Sequence, residues 1–163
     1  MDHVDEILQQ WQRERPDLDV GPMGLIGRLG RVAHYLTREM EKTFAEFGLT
    51  GASFDVLATL RRAGPPYSLT PGDLLSTMMI TSGTLTNRID QLEKAGLVAR
   101  APSAGDRRVV IISLTERGFA TIEATVTAHV ATQKRLVSVL SDEERARLDG
   151  ELRKFLAGIA AGG

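Results

Sequence analysis

The sequence lacks cysteine and has a single tryptophan among its 163 residues. Without cysteine there is no disulfide framework, no thiolate zinc site and no sensor based on thiol oxidation. No apolar run approaches the roughly 18–20 residues of a transmembrane helix, and the first residues are acidic where a secretory signal would be basic. These absences predict a soluble cytoplasmic protein with no membrane partner.

The sequence also lacks an excess of charge of one sign. Its 20 basic residues stand against 21 acidic residues, which gives a formal net charge of -1. An argument for nucleic-acid binding therefore depends on where the arginines cluster and not on the total charge. The length suits one domain, and no internal repeat or long linker divides it, so we expect a single domain over residues 1–163.

Apolar periodicity predicts two helices in the first third of the chain. Apolar residues spaced three and four apart from Val4 to Trp11 predict a short amphipathic helix. A second stripe from Leu25 to Phe47 predicts a long helix, which follows a loop containing Gly21 and Pro22 and ends at Gly48.

Three shorter helices follow, each with a recognisable start. Thr50 is suited to cap the first, and Thr70, followed by a proline at the first helical position, is suited to cap the second. Thr81 is suited to cap the third, which Gly96 ends.

A hairpin and two further helices complete the predicted fold. Apolar stretches at 98–101 and 109–113 read as paired strands around a polar tip at 103–108. A long helix from 115 to about 140 comes next, and a capping box at Ser141 starts the last helix. The fold class is therefore mainly α with a small β-wing.

Helix, tight turn, helix and hairpin in this order are typical of a winged helix-turn-helix, which presents one helix to the DNA major groove. Small and hydrogen-bonding side chains near the start of that helix suit base edges and phosphates. Arginines at the hairpin tip, beside an acid that can orient a guanidinium, suit the phosphate backbone or the minor groove. The candidate DNA-binding residues are Thr81, Ser82, Gly83, Thr84, Thr86, Asn87, Asp106, Arg107 and Arg108.

Three stretches carry a family resemblance. They are LEKAGLV at 92–98, DRR at 106–108 and LTERG at 114–118. In this order, and with a D-x-R motif at Asp106 and Arg108, they resemble the signature of the MarR family of transcriptional regulators. The resemblance covers about Leu25 to Phe155.

The resemblance implies an intertwined homodimer formed by N- and C-terminal helices. It assigns 1–48 and 115–160 to a helical dimerisation region and 50–114 to a winged helix-turn-helix region. A cytoplasmic, nucleoid-associated repressor is implied, which binds a palindromic operator in double-stranded DNA with half-sites about one helical turn apart. Whether binding represses or activates transcription stays open at this point.

The N-terminal helix further resembles the urate-responsive subgroup that includes PecS and HucR. That likeness implies a ligand set of Trp11, Asp55, Arg88 and Arg100. An aromatic face, two guanidinium groups and one acceptor would suit a flat anionic purine such as urate. Spacing also places Arg88 on the inward stripe of its helix.

Other interpretations of these ligand residues stay open. Trp11 alternatively completes the core, Asp55 serves a helix dipole, and Arg88 pairs with an internal acid. A phenolic acid or another aromatic carboxylate is the alternative effector.

Two further function classes are alternatives to a regulator: an enzyme and a protein-binding module. No glycine-rich phosphate loop, nucleophile elbow or catalytic triad indicates an enzyme. His34 and His129 have no partner at metal-ligand spacing, so we expect neither a metal nor a cofactor. A winged-helix module that binds protein instead of DNA remains the alternative function.

Overall fold

The computed structural model describes residues 1–78 and 82–162, and of Ser82 only the backbone. They belong to two compact units, Met1–Lys42 and Thr43–Gly163. The described residues form seven helices and three strands: α1 His3–Glu14, α2 Gly21–Glu46, α3 Gly51–Arg62, β1 Ser68–Leu69, α4 Pro71–Thr77, α5 Ser82–Lys94, β2 Val98–Pro102, β3 Val110–Leu114, α6 Glu116–Val137 and α7 Asp142–Gly162. The predicted fold class, mainly helical with a small wing, is confirmed.

In the first unit, α1 is fixed to α2 by charge and by close packing. The Asp2 carboxylate accepts the backbone N–H groups of Val4 and Asp5 at 2.8 and 3.0 Å and so caps α1. Arg28 on α2 donates to both Asp2 and Asp5; its bond lowers the pKa of the Asp2 carboxyl, and the backbone N–H of Asp2 together with Arg28 lowers that of Asp5. Val4 is buried, and a Cβ on Gly27 would lie 3.5 Å from its Cγ1, in ordinary van der Waals contact.

The start of α2 differs from the prediction. Gly21 and Pro22 belong to the helix and not to the loop before it. The N–H of Gly21 donates to the Asp19 side chain at 3.0 Å, and Pro22 has no N–H that needs a partner in the first turn.

The core of the second unit is built from α3, α5, α6 and the sheet. Its fully buried side chains include Leu57, Leu60, Leu85, Ile112 and Ile122. Beside this core, the rings of Phe44 and Phe54 stack at 4.3 Å between centroids, and His129 on α6 packs against both. The burial of these apolar side chains holds α3 and the sheet against α6.

The sheet has three antiparallel strands in the order β1-β3-β2. Strands β2 and β3 are the predicted hairpin, with Arg100 opposite Ile112 and Pro102 opposite Val110. The sequence reading missed β1, which has only two residues and pairs Ser68 with Ser113. Their two hydroxyl groups lie 2.7 Å apart.

Helix α6 begins in close contact with the start of the wing. The hydroxyl of Thr115 accepts the N–H of Gly118 at 2.9 Å and donates to the carbonyl of Gly96 at 2.7 Å. A Cβ on Gly118 would lie 1.8 Å from the carbonyl oxygen of Leu97, so only glycine fits there without a backbone shift. Gly96 has φ of +71° and ends α5 as predicted.

The other predicted caps are confirmed at three of their positions: Thr50, Thr70 and Ser141 accept the expected backbone N–H groups. Thr81, the predicted cap of α5, lies outside the described residues. No helix among residues 1–78 and 82–162 is long and apolar enough to cross a bilayer.

Candidate functional site

Helix α5 has one face packed in the core and the other in solvent. Leu85, Ile89 and Leu92 lie on the inner face and are nearly fully buried. The exposed face carries four of the predicted DNA-binding residues: Gly83, Thr84, Thr86 and Asn87. Ser82 begins this helix and is described by its backbone only, and the candidate Thr81 lies outside the described residues.

The wing tip, residues 103–108, projects its arginines into solvent. The side chain of Arg108 is 91% exposed, and its Nε donates to the Asp106 carboxylate at 3.2 Å. The backbone N–H of Arg108 donates to the same carboxylate at 3.0 Å and, together with the side chain, lowers the pKa of Asp106. The expected pairing of Asp106 with a guanidinium is therefore present, and Arg107 beside it is exposed.

The wing base, residues 97–100, holds its arginine differently. Arg100 donates through Nη2 to Asp90 and through Nη1 to Glu93 at 2.5 Å, and both acids lie on α5. The N–H of Arg100 also donates to Glu93 at 3.2 Å. These bonds, that to Asp90 first, raise the pKa of Arg100 above its ordinary value. They fasten β2 to α5 by charge-assisted hydrogen bonds.

Arg88 lies on α5 where the helix faces α3. Its Nη1 donates to the Gln91 side chain at 2.9 Å and to the buried hydroxyl of Ser53 at 3.4 Å. Its Nε is buried and has no hydrogen-bond partner among the described residues. A buried donor without a partner costs free energy that a ligand acceptor could recover.

The other two predicted ligand residues lie on α1 and α3. Trp11, on α1 in the first unit, is 41% exposed. Asp55, on α3 in the second unit, is exposed and acts electrostatically on His129. Burial lowers the pKa of His129, and the charge of Asp55 opposes that shift.

A partly open cavity of about 280 Å³ lies beside α5 and the wing. Among the described residues that line it, Arg100 is the one with a charged side chain. The remaining lining is apolar except for Thr86, and it consists of Pro71, Leu75, Leu85, Ile89, Val110 and Ile112.

Comparison with known proteins supports the family resemblance. A sequence model described as MarR family matches residues 47–109. The HTH-type transcriptional regulator PecS of Dickeya dadantii (strain 3937) is 47% identical over 145 residues, which cover 89% of this chain and 87% of PecS. The chain belongs to the MarR family.

Solved structures of MarR-family proteins have the same fold. A mutant MarR from E. coli, complexed with operator DNA, has a TM-score of 0.70 at 26% identity and matches 90% of this chain and 97% of its own. Bordetella bronchiseptica BpsR, whose DNA binding is regulated by 6-hydroxynicotinic acid, has a TM-score of 0.68 at 27% identity and matches 79% of this chain and 90% of its own. This MarR-family protein is a winged helix-turn-helix transcriptional regulator that binds DNA.

The MarR-family chain also holds its candidate arginines with residues that sequence reasoning missed. Asp90 and Glu93 bind Arg100, while Ser53 and Gln91 bind Arg88. Helical spacing was the available signal for Gln91, which follows Arg88 by three residues, and for the pair of acids, which are also three apart. No such local signal identified Ser53, because it reaches Arg88 from another helix.

In the part of the MarR-family chain that the structure describes, no group of three histidine, aspartate or glutamate side chains could hold a metal ion.

Proposed function

We propose that this MarR-family protein is a repressor that binds a palindromic operator as a homodimer and is released by a small anionic aromatic ligand such as urate. The exposed polar face of α5, flanked by the exposed arginines of the wing tip, is the observation that carries the proposal. Residues 50–114 form the DNA-binding region, while 1–48 and 115–160 form the dimerisation region.

The DNA contacts follow from the shapes and charges of these two elements. Gly83 and the short polar side chains of Thr84, Thr86 and Asn87 leave α5 slim enough to enter the major groove and reach base edges. Arg107 and Arg108 lie at the exposed wing tip. Both can therefore reach a phosphate or the minor groove without any change in the packing of the core. Thr81 and Ser82 belong to the same proposed interface.

The proposal of a homodimer is supported by α7. Within the described range Asp142–Gly162, no residue of this helix is buried. Yet it carries an apolar stripe at helical spacing, with exposed Leu148, Leu152, Phe155, Leu156 and Ile159. A stripe of this kind on a soluble helix marks an interface, and a second copy of the chain is the partner that gives a palindromic operator.

The dimer is tested by charge insertion. Leu152→Glu places a carboxylate on the stripe, whereas Ala157→Glu places the same group on the opposite side of α7. We expect the first variant to shift the sedimentation coefficient toward the monomer and to weaken operator binding. The second variant serves as the control and should behave like the wild type. A dimer that withstands Leu152→Glu would contradict the proposed interface.

Two observations support an anionic aromatic effector. Arg88 offers a buried donor without a partner among the described residues, and Arg100 places a guanidinium beside an apolar cavity. BpsR, a relative of the same fold, is regulated by an aromatic acid. Urate is the first candidate because its ring oxygens and N–H groups would match two guanidinium groups and the Asp55 acceptor, with Trp11 as the aromatic contact of the implied set.

The cavity favours a second candidate effector. A phenolic or aromatic carboxylate needs one cation for its charge and apolar walls for its ring, which is the arrangement around Arg100. Such a ligand would not require Trp11 or Asp55.

The deciding experiment is a gel-shift titration of the protein on its own promoter region at stated salt. Urate, salicylate and no ligand are compared in parallel, with Trp11→Ala and Arg88→Ala as ligand-set variants and His34→Gln as a control. If urate releases the wild type from DNA and either variant responds less, the proposed urate ligand set is supported. If salicylate alone releases the protein from DNA, the aromatic carboxylate is supported as the effector. Absence of DNA binding even at low salt would contradict the proposal and favour the protein-interaction module.

A further inference from the structure

Two acidic side chains of α5, Asp90 and Glu93, already bind Arg100, the cation that an anionic effector would use. Arg100 donates to Asp90 through Nη2 and to Glu93 through Nη1. Both acids lie on α5 and Arg100 lies on β2, so these bonds join the proposed recognition helix to the wing.

The charges at this cluster do not balance. One guanidinium faces two carboxylates, which leaves one excess negative charge next to the cavity that Arg100 lines. An anion entering the cavity is repelled by that excess, and it finds both terminal nitrogens of Arg100 already donating to a carboxylate. The cluster is half-exposed, so these effects are moderate and a ligand can displace a carboxylate.

We infer that Asp90 and Glu93 are built-in competitors of the effector, which set its affinity by holding Arg100 until an aromatic carboxylate displaces one of them. This inference rests on the proposed function, because it assigns a regulatory role to the same arginine. Displacement would exchange one carboxylate partner of Arg100 for another and loosen β2 from α5. The two DNA-reading elements would then lose their fixed relative position in the step that binds the ligand.

The test compares a charged probe with a neutral probe on the protein without DNA. Salicylate and salicylamide are titrated by calorimetry at pH 7 into the wild type, Asp90→Asn and Glu93→Gln. Each substitution removes one negative charge and keeps the size of the side chain. We expect salicylate to bind each variant up to about fivefold more tightly than it binds the wild type, the range of a partly exposed ion pair. Binding of salicylamide should not change.

The control variant is Glu143→Gln, which removes the same charge from an exposed position at the start of α7. It should bind salicylate like the wild type. Thermal melts followed by circular dichroism establish that each variant is folded. A purely structural role of Asp90 and Glu93 would lower the melting temperature without tightening salicylate binding.

The outcomes separate this inference from the proposed function. Folded Asp90→Asn and Glu93→Gln proteins that bind salicylate no more tightly than the wild type, or not at all, would overturn the inference. Tighter binding that the neutral probe shares would also overturn it, because charge competition then plays no part. If both variants bind salicylate more tightly but neither salicylate nor urate releases DNA from any of these proteins, the inference stands and the proposed effector response fails.

Discussion

The two ends of the wing carry the same residue type in opposite surroundings. At the wing base, Arg100 is 30% exposed and held by two carboxylates from α5. At the wing tip, Arg108 is 91% exposed, and its partner among the described residues is its neighbour Asp106. The comparison teaches that partners, and not residue type, separate an arginine that joins two elements from one that is free to meet a phosphate.

Backbone packing follows the same division. At the base, Gly118 of α6 approaches the carbonyl oxygen of Leu97 so closely that a Cβ has no room. At the tip, a Cβ on Gly105 would meet no atom within 4 Å. The base is therefore a packed joint between the wing and α6, and the tip is an open loop.

The largest expected effect comes from adding a methyl group at each end. Gly118→Ala forces the backbone of α6 away from Leu97, and we expect it to destabilise the fold by about 3 kcal/mol, the upper part of the usual range for overpacking. The matched control is Gly105→Ala, which should stay within about 0.5 kcal/mol of the wild type. Urea denaturation measures both. Equal losses of stability in the two variants would contradict the distinction between a packed joint at the wing base and an open loop at the wing tip.

Hydroxyl removal tests the same distinction with a smaller change. Thr115→Ala removes the cap of α6 and the bond to the Gly96 carbonyl, so we expect a loss of about 1–2 kcal/mol. Ser103→Ala removes a hydroxyl at the tip, where it only accepts a long bond from Gly105, and should cost less than about 0.5 kcal/mol. The unfolding midpoints of the two variants measure these losses of stability. A larger loss for Ser103→Ala than for Thr115→Ala would contradict the comparison.

Removal of the tip arginines should change DNA binding and leave stability unchanged. We expect Arg107→Ala and Arg108→Ala each to lower the salt slope of operator binding by about one unit, because each loses one phosphate contact. Arg147→Ala, an exposed arginine of α7, is the control and should keep the wild-type slope. Wild-type slopes in both tip variants would remove the wing tip from the DNA interface.

The smallest expected effect concerns pH. The pKa of Arg100 is raised and that of Asp106 is lowered, so both ends of the wing keep their charges between pH 5 and 8. Burial lowers the pKa of His129 below its usual 6.5, so the folded state favours the neutral ring. Its contribution to stability is complete above pH 6.5 and decreases as the pH falls below that value.

His129→Phe should therefore reduce the loss of stability on acidification, since it keeps an aromatic ring beside Phe44 and Phe54 and removes the titrating group. His34→Gln, at an exposed position of α2, is the control and should keep the wild-type pH profile. Denaturation midpoints measured from pH 5 to 8 test this. If the pH dependence of stability persists in His129→Phe, another group is responsible for it. The prediction that both ends of the wing keep their charges between pH 5 and 8 would then need to be revised.

Local sequence signals predicted most of the fold. The apolar stripes, the caps at Thr50, Thr70 and Ser141, and the stop at Gly96 gave helices within a few residues of those observed. Apolar stretches on both sides of the polar tip at 103–108 gave the hairpin. The exposed DNA-facing candidates of α5 and the Asp106–Arg108 pair also followed from spacing alone, because each depends on residues within one or two turns of each other.

Other features were decided only by tertiary structure. The two-residue strand β1 forms because β3 lies beside it. It is too short to show the alternation of apolar and polar residues by which a strand is predicted. The bonds of Arg100 to α5, the bond from Arg88 to Ser53, the close approach of Gly118 to Leu97 and the cavity beside α5 all join different elements of the fold.

The physical reason is the range of the interactions. Caps, stripes and turns depend on backbone geometry over about four residues, which a sequence displays directly. Ion pairs, cavities and close backbone contacts depend on how those elements pack, and packing is determined by the whole core at once. The sequence alone thus predicted the helices, the hairpin and the candidate arginines of this regulator, and the tertiary structure decided that Arg100 joins two elements while Arg108 stays exposed beside Asp106.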